Sequence, residues 1–428
     1  MTDAAKSREL GGLKNIAGAP QSIVGGARFL IAFLFANAGM YALFQGMQQI
    51  ILPSQIASIN PDGKVGAYGI LASVGALAAA AGNPIFGALS DRTRGRYGRR
   101  TPWLLGSTIA VIGLLAVLGS MSSLLWVGAT YLLVMLTMSA FQAVITAVMP
   151  DRVPESRRGL ASSVASVALA LGVIYGINVA PPFVDRPVQG YLAISALLLV
   201  GTLMLTFLAP DPTVASDLSP SPVARQKGSI ADFFAGLRDH DFSWAFWSRV
   251  TIMTGYWTIS TYQLYTLTDY IGAKNLPSGN VAGAVALLGT INLSACFVTS
   301  LLSGPLSDKL NLRKIFVIVA SLGIAIGAAI PIFWPTWNGM IAYSLLSGFF
   351  VGIYLAVDQA IMTLVLPDPE NTARDLGLLN VATTGPQIAG PFLAALVITF
   401  SGYPSLFGFA AIVAALSSLA IMPIRKVK

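Results

Sequence analysis

Two opposite charges lie inside long apolar runs of this 428-residue chain, Asp358 and Arg249. Burial in hydrocarbon penalises the charged form of a carboxylate, which makes Asp358 a candidate proton carrier; the same acid could instead pair with Arg249 as a fixed structural element. Uncharged polar groups surround them in the sequence. Asn37, Tyr41, Gln45, Gln48 and Gln49 follow one another in steps of four, four and three or four, which places them on one helical face. Trp257, Thr261, Tyr265 and Asp269 form a second such line. Gln142, Asn292, Tyr354 and Gln359 add amides and a hydroxyl in other apolar runs. Carboxamides and hydroxyls beside flat rings suit a neutral, hydroxyl-rich ligand. Sugar hydroxyls need donors and acceptors, while the C–H face of the ring stacks on Trp or Tyr. Sodium is the alternative to the proton as a driving ion.

A second set of residues repeats itself. GALSDRTRGRYGRR starts at Gly87, and GPLSDKLNLRK starts at Gly304, so that Asp91 and Asp308 stand 217 residues apart. With the same shift Met149-Pro150-Asp151 falls on Leu366-Pro367-Asp368, and Gln142 falls on Gln359. Such loops read as gates, with simple anchoring of a basic side by the arginines as the alternative. Gly87 would let two backbones approach, and Asp91 would meet a basic partner such as Arg152. Arg92, Arg99 and Arg100 would offer donors to acids on adjacent loops, Asp151 among them, and Asp308 and Asp368 would repeat the pattern in the second half. These locks must break as the molecule changes state, so each can contribute only a few kcal/mol.

The elements that must position these groups are membrane spans. Hydrophobic residues make up 55% of the chain and charged residues 10%, against roughly 25% charge in a soluble domain. Apolar runs of about 20 residues fall at 28–54, 66–89, 102–121, 124–149, 160–183 and 190–209, then at 244–270, 282–304, 315–334, 339–366, 377–399 and 405–423. The fold class is therefore an all-α membrane protein: twelve transmembrane helices in two pseudo-symmetric six-helix bundles. The expected parts are an N-terminal segment 1–27, a bundle 28–209, a linker 210–243, a bundle 244–423 and a tail 424–428. The start of the linker is rich in Pro and Ser and reads as mobile. Ser229 to Leu237 reads as a short amphipathic helix at the interface, with a plain tether as the alternative.

Of the 26 Lys and Arg residues, 22 fall in the segments assigned to one side: both termini, the linker, and the loops after spans 2, 4, 8 and 10. That bias makes this side, and both termini, cytoplasmic. The basic residues are a topology signal, so no nucleic acid is expected. Membrane lipids and a small-molecule solute are the expected partners, and the chain is expected to work as a monomer in a bacterial inner membrane. One histidine, His240, one cysteine, Cys296, and no intramembrane pair of acids give no nucleophile–base or metal-ligand cluster. An enzyme is excluded, and no cofactor or metal is expected.

Twelve spans in two halves, with G-x-L-x-D-R…G-R-R after span 2 and a degenerate copy after span 8, resemble the major facilitator superfamily over roughly residues 28–423. The longer form DRTRGRYGRRTPW, with AVMPDRVPESRRG and AVDQAIMTLVLPDPE, resembles the glycoside–pentoside–hexuronide:cation symporters and the sucrose:proton symporter-like group. The resemblance implies secondary transport of a sugar or glycoside by alternating access, with proton symport through Asp358 as the first reading. A uniporter or a proton-antiport exporter, drug efflux included, is the alternative. Two departures bear on the driving ion. Melibiose-type members carry acids in span 2, whereas residues 66–89 hold none; and sucrose-type members carry an acid in span 4, where this chain has Phe141 at the position matching Asp358.

Overall fold

Long apolar segments in lipid have no water to satisfy their backbone, so each must close its hydrogen bonds within itself as a helix. The computed structural model describes residues 26–93, 98–211, 233–367 and 372–425, and every regular element among them is helical. In chain order these are α1 (Ala27–Ile59), α2 (Lys64–Arg92), α3 (Thr101–Ser120), α4 (Leu124–Arg152), α5 (Arg158–Val179) and α6 (Pro187–Leu208). They continue as α7, His240–Thr261 with the extension Gln263–Tyr265, then α8 (Val281–Leu310), α9 (Arg313–Phe333) and α10 (Trp337–Leu364). The stretch Thr372–Ile421 breaks at Gly402, whose φ of 76° and ψ of 177° leave the helical region. α11 precedes that glycine and α12 follows it, giving twelve long helices among the described residues.

Ten stretches are long and apolar enough to cross a membrane, Arg374–Ile421 counting once although it is two helices. α7 is missing from the ten because its apolar pattern is diluted by polar residues. It starts earlier than the apolar run suggested, at His240, where Asp239 accepts from the Phe242 amide and caps it. α7 is also interrupted at Tyr262, and a π-helical turn, Thr266–Gly272, follows. α1 has its own π turn at Met47–Ile51. The two turns occupy nearly matching places in the repeat.

The packing follows the repeat. α1 lies on α5 and α6, α2 on α4, and α3 on α4 and α6; in the second half α7 and α9 lie on the α11–α12 stretch, and α8 and α9 on α10. Small residues allow the closest crossings. A Cβ at Gly172 or Gly176 of α5 would sit 2.3 or 2.1 Å from the carbonyl oxygens of Ala38 and Ala42 in α1. The two bundles meet where α2 lies against α11 and α5 against α8.

Among the described residues the core is continuous across the bundles at one end only. Ile259, Tyr262, Tyr265, Met340, Ala394 and Phe407 of the C bundle share one buried cluster with Tyr68, Tyr131 and Ile177 of the N bundle. A second cluster, around Ile252, Tyr354, Val357 and Leu378, belongs to the C bundle alone. It lies toward the end that carries the loops after α2, α4 and α8, hereafter the basic face. The described end of the linker docks at that face. It is a 3-10 turn, Phe234–Arg238, not the α-helix expected; the earlier part of that expected helix, 229–232, lies outside the described residues. Gly236 is buried under Asp375 and Leu378 of α11 and Phe242 of α7, and Phe233 lies over Gly377. This described end therefore packs on protein.

Candidate functional site

A cavity lies between the bundles, with walls from five helices. α1 supplies Gln45 and Gln49, α5 Val173 and Ile177, and α7 Tyr256, Ile259, Ser260 and Gln263. α8 supplies Gly289, Asn292 and Leu293, and α10 Tyr343 and Ser344. Its empty space, counted out to solvent, is about 510 Å³. The lining holds four carboxamides, two serine hydroxyls and two phenols, and no charged side chain.

Local structure orients these groups. Gln49 Nε2 donates to Gln45 Oε1 at 2.9 Å, so the two amides form one unit along α1. The π turn sends the intervening Gln48 elsewhere, its Nε2 against Met135 Sδ at 3.7 Å. Asn292 Nδ2 donates to the Ser344 carbonyl at 3.1 Å, tying α8 to α10 and leaving the amide oxygen without a described partner. The Tyr256 ring stands edge-on to Trp257, with centroids 5.6 Å apart.

Three of the residues proposed from sequence line this space: Gln45, Gln49 and Asn292. The others do not. Asn37 is buried and donates back to the Phe33 carbonyl of its own helix at 2.8 Å. Tyr41 packs against the apolar core, Gln142 is half-buried in α4, and Gln359 is exposed. Trp257 lies beneath Gly390 of α11, Thr261 donates to the Trp257 carbonyl, and Tyr265 is buried at the opposite face. Tyr354 donates to Asp358 at 3.0 Å. On α7 the cavity face runs through 256, 259, 260 and 263, one or two residues before the line of 257, 261 and 265. One residue is about 100° of helix rotation, enough to turn the whole line away. The signal for the cavity face was the i, i+4, i+7 spacing of Tyr256, Ser260 and Gln263, hidden in a run where nearly every residue is polar.

Opposite the basic face, the bundles are bonded to one another. Lys64 Nζ of α2 meets Asp269 Oδ1 at 2.7 Å, and Tyr403 donates to Asp269 Oδ2 at 2.7 Å. Lys64 also lies over the Tyr265 ring, 5.3 Å from its centroid. Tyr262 donates to the Val65 carbonyl and Tyr265 to the Pro53 carbonyl, each at 2.8 Å. Tyr68 presents its ring edge-on to both tyrosines, 5.7 and 5.8 Å away, and donates to the Gln48 carbonyl. Gly69 makes this approach possible: a Cβ there would lie 2.5 Å from the Tyr262 hydroxyl and 2.6 Å from Ala395 Cβ. Between α5 and α8, Asn178 donates to Thr290 Oγ1 at 3.0 Å.

The charges of the basic face form a network inside the N bundle. Arg100 pairs with Asp91 at 2.7 Å and with Asp151 at 2.8 Å, and Arg99 reaches the same Asp151 oxygen at 2.7 Å. Arg152 was expected beside Asp91. It pairs instead with Asp211 at 2.9 Å and donates to the Ala209 carbonyl at 2.6 Å. Asp211 also accepts the Arg100 amide at 2.6 Å, so the first residue after Pro210 is anchored where a mobile linker was expected. The polar Pro/Ser context of that segment concealed it. Asp308 pairs locally with Arg313 at 2.7 Å, Arg92 is exposed, and Asp368 lies outside the described residues. Gly87 marks no close crossing: a Cβ there would meet only Ala143 Cβ at an ordinary 3.9 Å.

Asp358 and Arg249 are partners. Arg249 Nε donates to Asp358 Oδ2 at 2.8 Å, its Nη2 donates to the same oxygen, and Tyr354 takes Oδ1. Both side chains are more than nine-tenths buried. The pair joins α7 to α10 on the basic-face side of the cavity, with Arg249 two helical turns from Tyr256. No cluster of three or more His, Cys, Asp or Glu suited to a metal occurs among the described residues.

The sequence profile described as Major Facilitator Superfamily matches residues 29–289 and 278–428. Anhydromuropeptide permease of Escherichia coli (strain K12) is 26% identical over 56% of this chain, a match that spans only 47% of that protein, about half its length. An uncharacterized MFS-type transporter of Mycobacterium tuberculosis (strain ATCC 25618 / H37Rv) is 22% identical over 77% of this chain and 71% of its own. Among solved structures, the nucleoside transporter NupG superposes with a TM-score of 0.71 at 13% identity, covering 93% of this chain and all of that one. A bacterial homolog of the human lysosomal transporter Spinster superposes with a TM-score of 0.64 at 15% identity, over 94% and 95%. At these identities the two structures speak for the fold alone.

Proposed function

The chain belongs to the Major Facilitator Superfamily and is a multi-pass membrane transporter, not an enzyme, and from that premise we propose that it carries a sugar or glycoside by alternating access. The lining of the central cavity carries this reading. Four amides, two serines and two tyrosines, without a charge, supply donors and acceptors for hydroxyls and ring faces for C–H surfaces. An ionised solute would find no counter-charge there. A drug-efflux cavity would be lined more by apolar and Met side chains with a dominant acid. The relative named as an anhydromuropeptide permease and the structural neighbour named as a nucleoside transporter set no substrate for this chain.

The excess of Lys and Arg supports a cytoplasmic basic face and cytoplasmic termini in a bacterial inner membrane. In that orientation the bonded end of the molecule is the outer one, and the structure is a carrier shut to the outside. The loop DRTRGRYGRRTPW supports placement in the glycoside–pentoside–hexuronide:cation or sucrose:proton branch. The basic-face network then serves chiefly to hold the N bundle rigid, while Lys64, Asp269 and the tyrosine cluster form the gate that must part.

Proton symport rests on Asp358, the buried acid nearest the cavity. Arg249 occupies one carboxylate oxygen and Tyr354 the other, so proton uptake requires Arg249 to move away first. The completeness of that pairing also supports the second reading, a uniporter in which Asp358 and Arg249 are a fixed brace. A thermal-shift screen of purified protein against sugars, glycosides and drugs tests the substrate class. Stabilisation by drugs alone would overturn it.

A further inference from the structure

The N bundle has a second hollow, remote from the central cavity. It is a crevice walled by Phe86 of α2, Pro102, Trp103, Gly106 and Ala110 of α3, and Ala140 of α4, with about 610 Å³ of empty space counted out to its surroundings. Two hydroxyls also line it, but both are spent on their own helices: Ser107 donates to the Trp103 carbonyl at 2.6 Å and Thr137 to the Leu133 carbonyl at 2.7 Å. The crevice therefore offers no free hydrogen-bond donor to a polar guest. Small side chains open it, since a Cβ on Gly106 would meet nothing within 4 Å. Exposed Ile85, Leu89, Ile109 and Leu133 flank it, which makes this the side of the bundle turned to hydrocarbon.

The end toward the basic face is chemically different. There the Trp103 indole donates to Thr93 Oγ1 at 2.8 Å, and Arg92 is the neighbour of that threonine. Arg99 and Arg100 spend their charge on Asp151 and Asp91. Arg92 is exposed and pairs with no acid among the described residues. An apolar slot whose Trp103 is bonded to Thr93, the residue after an exposed Arg92 that pairs with no described acid, matches a molecule with an acyl tail and an anionic head.

We propose that this crevice is a lipid site that holds an acyl chain of an anionic phospholipid, with the head-group phosphate at Arg92. The site is independent of the transported solute and stands whichever cargo the central cavity takes. Native mass spectrometry of the purified protein, supplied with phosphatidylglycerol or with phosphatidylethanolamine of the same chains, reads it directly. The wild-type chain is expected to retain phosphatidylglycerol about fivefold better, the value of one favourable charge contact near the surface. Arg92→Gln should reduce that preference to near unity. Gly106→Leu should fill the slot and lower retention of both lipids severalfold, and Ala110→Leu narrows the same slot from the next turn should the first variant fold poorly. Equal retention of the two lipids by the wild-type chain, or undiminished retention by folded Gly106→Leu or Ala110→Leu, would overturn the proposal.

Discussion

Lys64 and Asp269 meet at 2.7 Å across the two bundles at the face opposite the basic loops. The pairs Asp91–Arg100, Asp151–Arg99 and Asp211–Arg152 stay within the N bundle. In the proposed orientation the bond that must open for the outer side to admit solute is therefore Lys64–Asp269, while the others can persist through the cycle. The pair is partly solvated, and partly exposed ion pairs contribute at most about 1 kcal/mol. Asp269→Asn should shift the conformational equilibrium toward outward-open by about twofold to fivefold. Labelling of a cysteine placed in the outer half of the cavity, in a Cys296→Ser background, measures the shift. The swap Lys64→Asp with Asp269→Lys should return labelling to the starting level; unchanged labelling in all variants would remove the pair from the gate.

Gly69 gives a stronger lever on the same gate. A Cβ there collides with the Tyr262 hydroxyl and with Ala395 Cβ, and the Pro391 carbonyl is only 3.0 Å away. Gly69→Val should hold α2 off α11, keep the outer side open and abolish turnover. Solute binding from outside should survive, because the cavity lining is untouched. Gly87→Ala is the control, since its new methyl enters ordinary contact with Ala143. Equal transport by Gly69→Val and Gly87→Ala would show that closure of α2 on α11 is not part of the cycle.

The cavity amides can be ranked against residues on the same helices that point elsewhere. Gln45→Ala, Gln263→Ala and Asn292→Ala should each weaken solute binding about tenfold or more, since a lost hydrogen bond to a partner left buried costs about 1–3 kcal/mol. Asn37→Ala and Thr261→Ala, whose side chains are tied to their own helices, should leave the affinity within about twofold. Isothermal titration with the best ligand of the thermal-shift screen supplies the numbers. The opposite ranking would place the site elsewhere.

That ranking also marks how far the sequence is legible. Hydrophobic length and the repeat of Asp91 at Asp308 suffice to find the two-bundle architecture, because lipid permits few alternatives. Polarity within spans 1, 7, 8 and 10 is enough to identify four of the five cavity helices. The rotation of α7 is not legible, because a break at Tyr262 and a π turn at Thr266–Gly272 alter the register that an ideal helix would keep. Asp211 hides for another reason: its burial depends on Arg152 and Arg100, remote in sequence, while its local context reads as linker. Lys64 and Asp269 could have been matched, as two uncommon charges assigned to one side of the membrane.

Asp211 is the testable surprise of the basic face. It is more than nine-tenths buried, accepts the Arg100 amide and neutralises Arg152, itself as buried. Asp211→Ala leaves Arg152 charged in a closed site, and breaking one partner of such a pair costs about 3–5 kcal/mol. Thermal unfolding of the purified variant should fall by several degrees, with the cavity affinity little changed. Arg152→Met on top of Asp211→Ala should recover part of the loss, because it removes the stranded charge. A variant as stable as wild type would mean that the anchor is incidental.

The last prediction separates the two readings of Asp358. In either, Asp358→Asn weakens the hold on Arg249, and Asp358→Ala strands a buried cation and should destabilise the C bundle by about 3–5 kcal/mol. The readings diverge in transport. If Asp358 carries the proton, Asp358→Asn should abolish accumulation against a gradient and solute-driven alkalinisation of the medium, yet keep equilibrium exchange, because the amide preserves shape and still accepts from Tyr354. If the pair is a brace in a uniporter, the wild-type chain itself should show no uphill accumulation, and exchange by the variant should fall in proportion to lost stability. Replacing both charges with Arg249→Met and Asp358→Leu sharpens the contrast. A brace exchanged for matched apolar volume is often tolerated, so exchange should return, and with it any accumulation that never depended on this acid. Proteoliposomes with an imposed pH gradient, loaded with substrate for exchange or empty for uptake, give both measurements on one preparation. Undiminished uphill uptake by Asp358→Asn would rule it out as the coupling acid.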